Sequence, residues 1–511
     1  MFTVLTKKND FLQASTTLNT QSKTADNQYN FKVFTTKIQA DLITPIIILQ
    51  NLENNQKYTD KIFFYESVIT DSIKGRYSII AFDSNLEYKI NDNIFQTMQN
   101  FVDNINIDKC NVDLPNFVGS LFFYLTYKSG FEKNGIKNNL TNLTDTINIP
   151  NCILSLPKFV IFFDKVFDTA YISKICGIEE TFNDVLKEID SLTKTIYNIN
   201  FNNISSNNLT NSQNINNTLS NIYNKKHIVQ NSQVNYELFS NITQDEYKKS
   251  VEISQQYITN GDCFQVVPSL RLVKFLNKDY STLNFYRRLR NTNPSPFMFY
   301  IKNTDLHNNS FCITGASPEI MVRLKDNAIT IKPLAGTRKK TGNDEIDKKI
   351  AQELLSDAKE ISEHLILLDL GRNDVGSVAE YQSVYCEKKM EVEFYSHVMH
   401  ISSTVKGVRS QNANETDILL AGMPAGTVSG GPKKRAMEVI NEIESIERSF
   451  YSGTLGYISK NILESCIILR TALIKDGVIN IQAGAGVVFD SNPESEYQEC
   501  INKMLAVIKA I

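Results

Sequence analysis

The sequence predicts an α+β chain, and two observations carry that prediction. Short runs of apolar, aromatic and β-branched residues recur along it, and segments with helical spacing and recognisable caps lie between them. With 511 residues, 42% of them hydrophobic, the chain can bury a large core, and two to four domains are expected.

Residues 1–35 are polar and weakly patterned and read as a short strand with a flexible lead. Strands are expected at Pro45–Leu49, Lys61–Tyr65, Gly75–Ile80, Phe117–Tyr127 and Lys158–Asp164, and helical spacing runs from Glu179 to Ile196. Residues 198–233 are rich in Asn, Ser and Thr and carry too little apolar surface to offset ordering entropy. They read as a linker or surface insertion that separates region 1–197 from region 234–511.

Thr243 followed by Glu246 has the spacing of a capping box, opening a helix that runs to Gly261. Strands are expected at Cys263–Pro268, Phe297–Ile301, Met321–Leu324 and Ile329–Ile331, then a helix over 354–374 and an apolar segment Ser396–Ser403. A glycine-rich turn, Pro424–Pro432, opens a helix Lys433–Glu447. Strands Ile467–Arg470 and Gly477–Gln482 follow, and Asn492-Pro493 starts the last helix as cap and first residue.

Composition narrows the function. Lys and Arg total 53 against 56 Asp and Glu, so no basic excess points to nucleic acid or an anionic membrane. The eight cysteines are scattered without C-x-x-C spacing, which disfavours zinc and redox motifs. The polar N-terminus lacks a signal-peptide core, and no apolar run is long enough to span a bilayer. A reduced, soluble, cytoplasmic protein is expected. No Gly-x-Ser-x-Gly or Gly-x-Cys-x-Gly elbow is present, which disfavours a serine hydrolase or a built-in glutaminase.

Two helices concentrate carboxylates. Leu354, Ala358, Ile361, Leu365 and Leu368 form an apolar stripe, with Glu360 and Glu363 three apart on its flank and His364 beside them. In the last helix Glu496, Glu499 and Lys503 share one face, opposite Tyr497, Ile501, Met504 and Ile508. Either pair alone fits a solvated helix face. Two such pairs meeting over one hard cation would suit magnesium, which takes a few carboxylates plus water and substrate oxygens.

The turn Gly426–Gly431 has Pro432 where a phosphate loop needs lysine, and Gly484-x-Gly486-x-x-Phe489 lacks the third glycine of the dinucleotide pattern. Nucleotide binding is therefore unsupported, though both turns could offer backbone N–H groups to a carboxylate. Arg338, Arg372 and Arg470, with Thr337, Thr427 and Tyr451, lie near strand ends, where an arginine can grip a carboxylate with two hydrogen bonds. His397 and His400 lie three apart on an apolar segment.

Several of these stretches together resemble the chorismate-utilising enzymes, and within them the anthranilate synthase component I branch. They are Gly261–Ser269, Asn293–Tyr300, Gly315–Glu319, Pro333–Arg338, the stretch ending Asp369–Asp374, His397–His400, Pro424–Pro432, Tyr451–Tyr457 and Gln482–Gly486. They occur in order from Thr243 to the C-terminus; before that only Glu66-Ser67 and Gly75–Ser78 match.

The resemblance implies two sheets packed face to face with helices outside. Region 1–197 becomes an N-terminal regulatory and structural part, and 234–511 a chorismate-binding catalytic domain. It implies a magnesium-dependent lyase reaction: ammonia adds at C2 of chorismate, the C4 hydroxyl leaves, and pyruvate is eliminated to give anthranilate, the first committed step of tryptophan biosynthesis. In that reading Glu363 and Glu499 hold the metal, with Glu496 as a further ligand and Glu360 beside them. Glu319 is the general acid for the C4 hydroxyl, His400 assists the pyruvate step, and Glu360 and Thr427 complete the catalytic set. Gln265, Gly336, Thr337, Tyr451, Arg470, Lys503 and the N–H groups of Gly484, Ala485 and Gly486 line the substrate.

Isochorismate- and salicylate-forming members carry a water-activating lysine where this chain has Gln265, and aminodeoxychorismate synthases a lysine where it has Ala335. The resemblance thus points to the anthranilate-forming branch, with aminodeoxychorismate synthase component I or a non-catalytic paralogue as alternatives. It also implies a separate glutamine amidotransferase subunit as ammonia donor and an inhibitory L-tryptophan site at Glu66, Ser67, Pro296, Phe297, Met298, Leu455 and Tyr457. Phe64-Tyr65 and Phe297 depart from the family's usual residues there, and the chain itself contains no tryptophan.

Overall fold

The computed structural model describes residues 2–511 apart from 23–27, 42, 56, 59–60, 68–74, 137–142, 198–222, 224, 232–233 and 396–397. Most of the Asn-rich segment and His397 thus lie outside the described residues.

Among the described residues, 22 strands join into one hydrogen-bonded network, almost wholly antiparallel, and helices pack on its outside. The α+β class follows. The expected two sheets are present as two layers, but they are not separate. The long strand Cys152–Asp164 pairs through its first half with Leu121–Leu125 and through its second half with Thr169–Gly177, so one strand belongs to both layers. Its neighbour Tyr77–Ile90 has a bulge between Ser84 and Leu86. Bulged strands that change sheet in this way form the corners of packed β layers.

Alternation along the strands builds two cores. In Phe297–Thr304, Met298 and Tyr300 face a core shared with the outer helices, whereas Phe299 and Ile301 face the core between the layers. Both faces are buried, so the strand reads as a continuous apolar run. Strands from before and after the Asn-rich segment pair directly: Ile62–Glu66 lies against Phe297–Thr304, and Leu121–Leu125 against Thr454–Ser459.

Local cap chemistry places the helices. Thr243 and Glu246 form the capping box of helix Gln244–Thr259. Asn492 accepts from the Ser495 N–H at 3.0 Å and Pro493 opens the last helix, Pro493–Lys509.

Several expectations are corrected. Pro45–Leu49 is the start of helix Pro45–Glu53, because Thr44 caps the Ile47 N–H and the proline sits in the first turn. The N-terminal lead contains helix Lys8–Ser22 and strand Tyr29–Gln39. Cys263–Pro268 contributes only a two-residue strand, Gln265–Val266, paired with Gly430–Gly431. The helix expected over 433–447 ends at Ile443. At the end of the Asn-rich segment, Lys225–Asn231 is a strand paired with Val234–Ser240.

The helix expected over 354–374 is two helices. Asp344–Leu354 ends, and Asp357 caps a new helix, Ala358–Gly376, by accepting from the Lys359 and Glu360 N–H groups. The buried face of the second helix is His364, Leu367, Leu368, Gly371 and Val375, while Leu365, expected in the stripe, is exposed.

Candidate active site

Three elements converge on one cleft: the helix Ala358–Gly376, the last helix, and the strand Val398–Val408 with its partner Leu334–Lys339. Glu360 and Glu363 project from the first helix, Glu496, Glu499 and Lys503 from the second. Glu363 senses the other three glutamates. Burial raises Glu363 to about 7; Lys359 opposes this, and Glu360, Glu499 and Glu496 add to it. Burial, then Glu499, also raises Glu496. Glu499 is held low, first by Lys503, whose Nζ donates to it at 2.6 Å. Lys503 also donates to the Gly484 carbonyl at 3.0 Å, tying the last helix to the glycine turn.

Lys359, absent from the sequence-based set, stands among these carboxylates, 3.8 Å from Glu363. Its position four residues before Glu363 is the signal that could have found it. Among the described residues no three His, Cys, Asp or Glu side chains converge closely enough to hold an ion by themselves. The donor set still suits a hard cation: all-carboxylate oxygen, with mutual repulsion that positive charge would relieve.

A bulge positions the histidine. Between Ala335 and Thr337 the pairing with Val398–Val408 slips by one residue, leaving Gly336 extra with φ of 61°. Its carbonyl comes 2.9 Å from His400 Nδ1, and Thr337 Oγ1 lies 3.1 Å from the same nitrogen. A carbonyl only accepts, so Nδ1 carries the proton of the neutral ring and Nε2 keeps its lone pair. Burial lowers His400 to about 4, with Arg470 and Lys503 adding to the effect against the Gly336 contact, so the ring is neutral near pH 7. A Cβ on Gly336 would come 3.0 Å from Glu360 Oε2, whose carboxylate is held by Arg338 at 2.8 Å.

Glu319 follows the strand Ser310–Ser317 and is 5% exposed. Burial raises it to about 8, against the Thr427 hydroxyl, the Leu334 N–H and Lys503. The Thr427 hydroxyl lies against the carboxyl without the alignment of a full hydrogen bond. Glu319 is therefore a neutral acid near pH 7.

The three arginines separate. Arg372 pairs with Asp369 on a solvated face, and Arg338 is committed to Asp357 and Glu360. Arg470 sits in left-handed backbone (φ 50°) between strands rather than at the end of one, its carbonyl accepting from the Ala316 N–H at 3.2 Å. Its guanidinium has no hydrogen-bond or ion-pair partner among the described residues. Burial lowers it, while Tyr451 and Glu499 favour its charge. An unengaged guanidinium suits an incoming carboxylate.

Beneath lie the glycine turn and Gln265. The Ala485 N–H is donated to Pro268 O at 3.3 Å, so the predicted cradle of three free donors is reduced. A Cβ on Gly484 would come 2.7 Å from Pro268 O and 3.1 Å from the Tyr451 hydroxyl; one on Gly486 would come 2.6 Å from Gln265 Nε2. Gly484, against backbone, needs glycine for this close approach, whereas at Gly486 the neighbour is the end of a side chain. Gln265 is buried and its Oε1 has no partner among the described residues. His364 is fully buried and bonded through Nε2 to Ser403 Oγ at 2.7 Å, which makes it part of the scaffold.

The residues assigned to the tryptophan site also converge. Met298 pairs with Glu66, and the Tyr65 hydroxyl reaches Gly456 O between Leu455 and Tyr457 at 3.4 Å. Glu66 takes hydrogen bonds from Tyr286 (2.5 Å) and Arg290 (2.6 Å), two partners that sequence reasoning missed. The Ser67 hydroxyl is buried without a partner among the described residues, and Pro296 is buried beside half-buried Phe297. Phe297 pairs with Ser317, two residues before Glu319.

A family described as chorismate binding enzyme covers residues 61–509. Anthranilate synthase component 1 of Acinetobacter calcoaceticus is 35% identical over 92% of this chain and 93% of its own length. The protein of the same name from Cereibacter sphaeroides is 50% identical, but over 54% of each chain; for it and for those from Acetivibrio thermocellus and Pseudomonas aeruginosa the match spans about half their length. Among solved structures, anthranilate synthase component I from Streptococcus pneumoniae superposes with a TM-score of 0.69 and 29% identity over 92% of this chain and 98% of that one. The menaquinone-specific isochorismate synthase from Escherichia coli shares the fold, with a TM-score of 0.67 at 17% identity over 98% and 99% of the two chains. The chain belongs to the chorismate-binding enzyme family, with anthranilate synthase component 1 proteins among its relatives.

Proposed function

We propose that this chain is the large subunit of an anthranilate synthase, converting chorismate and ammonia to anthranilate and pyruvate. The observation that carries the reading is the pairing of a protonated buried acid, Glu319, with a neutral histidine, His400, in one cleft beside an unengaged arginine. An acid and a base set apart by their surroundings are what a hydroxyl departure followed by a proton abstraction requires.

Arg470 binds a substrate carboxylate, and Lys503, Tyr451 and the glycine turn shape the same pocket. Glu319 gives its proton to the departing C4 oxygen. His400 Nε2 takes a proton from the ring carbon in the elimination of pyruvate, while Gly336 and Thr337 fix the orientation of its ring. Glu363 and Glu499 would hold magnesium, with Glu496 and Glu360 in support and Lys359 and Lys503 as the resident positive charges. Magnesium bound there supplies charge neutralisation and polarisation of the ring carboxylate.

Gln265 in place of lysine supports ammonia rather than water as the nucleophile, and Ala335 supports the ortho over the para amino product. The relatives' name, component 1, supports a second subunit, which we assign as the glutamine amidotransferase that supplies ammonia. The cluster around Glu66 supports an inhibitory site for L-tryptophan. All eight cysteines are free, which suits a reducing compartment, and no helix among the described residues is long and apolar enough to cross a membrane. We place the reaction in the cytoplasm.

The test is turnover of chorismate by the purified chain with ammonium and magnesium, followed by anthranilate fluorescence. Growth of the signal, abolished in Glu319→Gln, is expected. Chorismate binding without consumption would identify a non-catalytic paralogue instead.

A further inference from the structure

Lys359 is out of place by the rules of its own helix. It stands in the first turn of Ala358–Gly376, where unpaired N–H groups and the helix dipole disfavour a cation. Its partner Glu363 comes four residues later in the chain, the weaker order for such a pair, and the two groups are 3.8 Å apart. The Lys359 Nζ makes no hydrogen bond among the described residues, and its side chain is 48% exposed. Helix chemistry alone therefore does not account for a lysine here.

The charge of several elements does. Burial works against the Lys359 cation, and Glu363, then Glu496, Asp490 and Glu499, outweigh burial. Glu496 and Glu499 belong to the last helix, and Asp490 to the turn before it. Lys503, the other cation among these carboxylates, is fixed differently: its Nζ donates to Glu499 at 2.6 Å and to the Gly484 carbonyl at 3.0 Å. One cation is tied down by contacts, and the other is held only by the charge around it.

We propose that Lys359 is a counter-ion that magnesium displaces, an inference that rests on the magnesium site assigned above to Glu363 and Glu499. While the metal is absent, Lys359 neutralises carboxylates of both helices, which would otherwise repel one another. When the metal arrives, the flexible lysine stem carries its hydrated head out to solvent, and Lys503 stays where its two contacts hold it. Magnesium and Lys359 thus compete for one cluster of negative charge, and Lys359 weakens metal binding in the substrate-free chain.

The experiment is titration calorimetry of magnesium into the substrate-free full chain at low ionic strength, unmodified and as Lys359→Met and Lys359→Arg. Lys359→Met removes the charge and keeps the length, and it is expected to bind magnesium about three- to tenfold more tightly. Lys359→Arg keeps the charge and should stay within about twofold of the unmodified chain. The gain in Lys359→Met should shrink at high salt. Urea denaturation gives a second readout: without magnesium Lys359→Met should have the lower midpoint, and saturating magnesium should narrow the gap. Unchanged affinity in Lys359→Met overturns the proposal, since Lys359 is then an ordinary solvated side chain. Weaker affinity overturns it too, since Lys359 would then position Glu363 for the metal. If neither the unmodified chain nor Lys359→Met binds magnesium, the metal assignment falls and the counter-ion with it.

Discussion

The carbonyl oxygen of Gly336 lies 2.9 Å from Nδ1 of His400, and the bulge that puts it there holds the residue in left-handed backbone that favours glycine. Alanine at 336 would be strained at a φ of 61° and would press on Glu360 and Leu354. Gly336→Ala is expected to lower kcat about tenfold and stability by about 1–2 kcal/mol, with little change in KM for chorismate. Steady-state kinetics and a denaturant titration check this. Wild-type values for both would remove the bulge from the account.

The carboxylate cluster gives a second prediction. In Glu363→Gln, magnesium affinity measured by titration calorimetry should weaken at least about tenfold, and turnover should fall with it. Retained magnesium dependence and turnover would mean that the metal is held elsewhere.

A third prediction concerns His364, which burial lowers to about 4. In the folded chain it stays neutral, whereas in the unfolded chain it protonates below its ordinary value near 6.5. The unfolded state thus binds the extra proton, and this term removes stability as pH falls from about 6.5 towards 4. His364→Gln should lose about 1–2 kcal/mol near pH 7.5 through the contact with Ser403, and less near pH 4.5. Thermal denaturation at the two pH values measures the difference; a pH-independent loss contradicts the burial argument.

The fourth prediction concerns nucleophile choice. Gln265→Lys places a base where the family resemblance implies one in water-using members. Part of the chorismate flux should then shift from the amino product to isochorismate, separable by liquid chromatography. An unchanged product ratio would mean that Gln265 does not select the nucleophile.

Legibility in the sequence followed the range of the interaction. The caps at Thr243 and Asn492 were readable because each involves residues within one turn. Pro45–Leu49 was misread because a short apolar run fits a buried strand or helix equally, and the deciding Thr44 cap is a single hydroxyl. The stripe through Leu354 and Leu365 was misread because Asp357 restarts the helix and resets its phase. Glu363 and Glu499 stood out as helical pairs, but what couples them, Lys359 and the Lys503–Gly484 contact, depends on packing between distant segments. The partners of Glu66, Tyr286 and Arg290, lie more than two hundred residues away and had no local signal.

The most direct measurement is the ring position of nitrogen after turnover with ¹⁵N-ammonium, chorismate and magnesium, read by NMR. The account predicts ¹⁵N on the carbon next to the carboxyl-bearing carbon, in 2-aminobenzoate formed with one pyruvate per ring. Nitrogen at the former C4, in 4-amino-4-deoxychorismate, would contradict it.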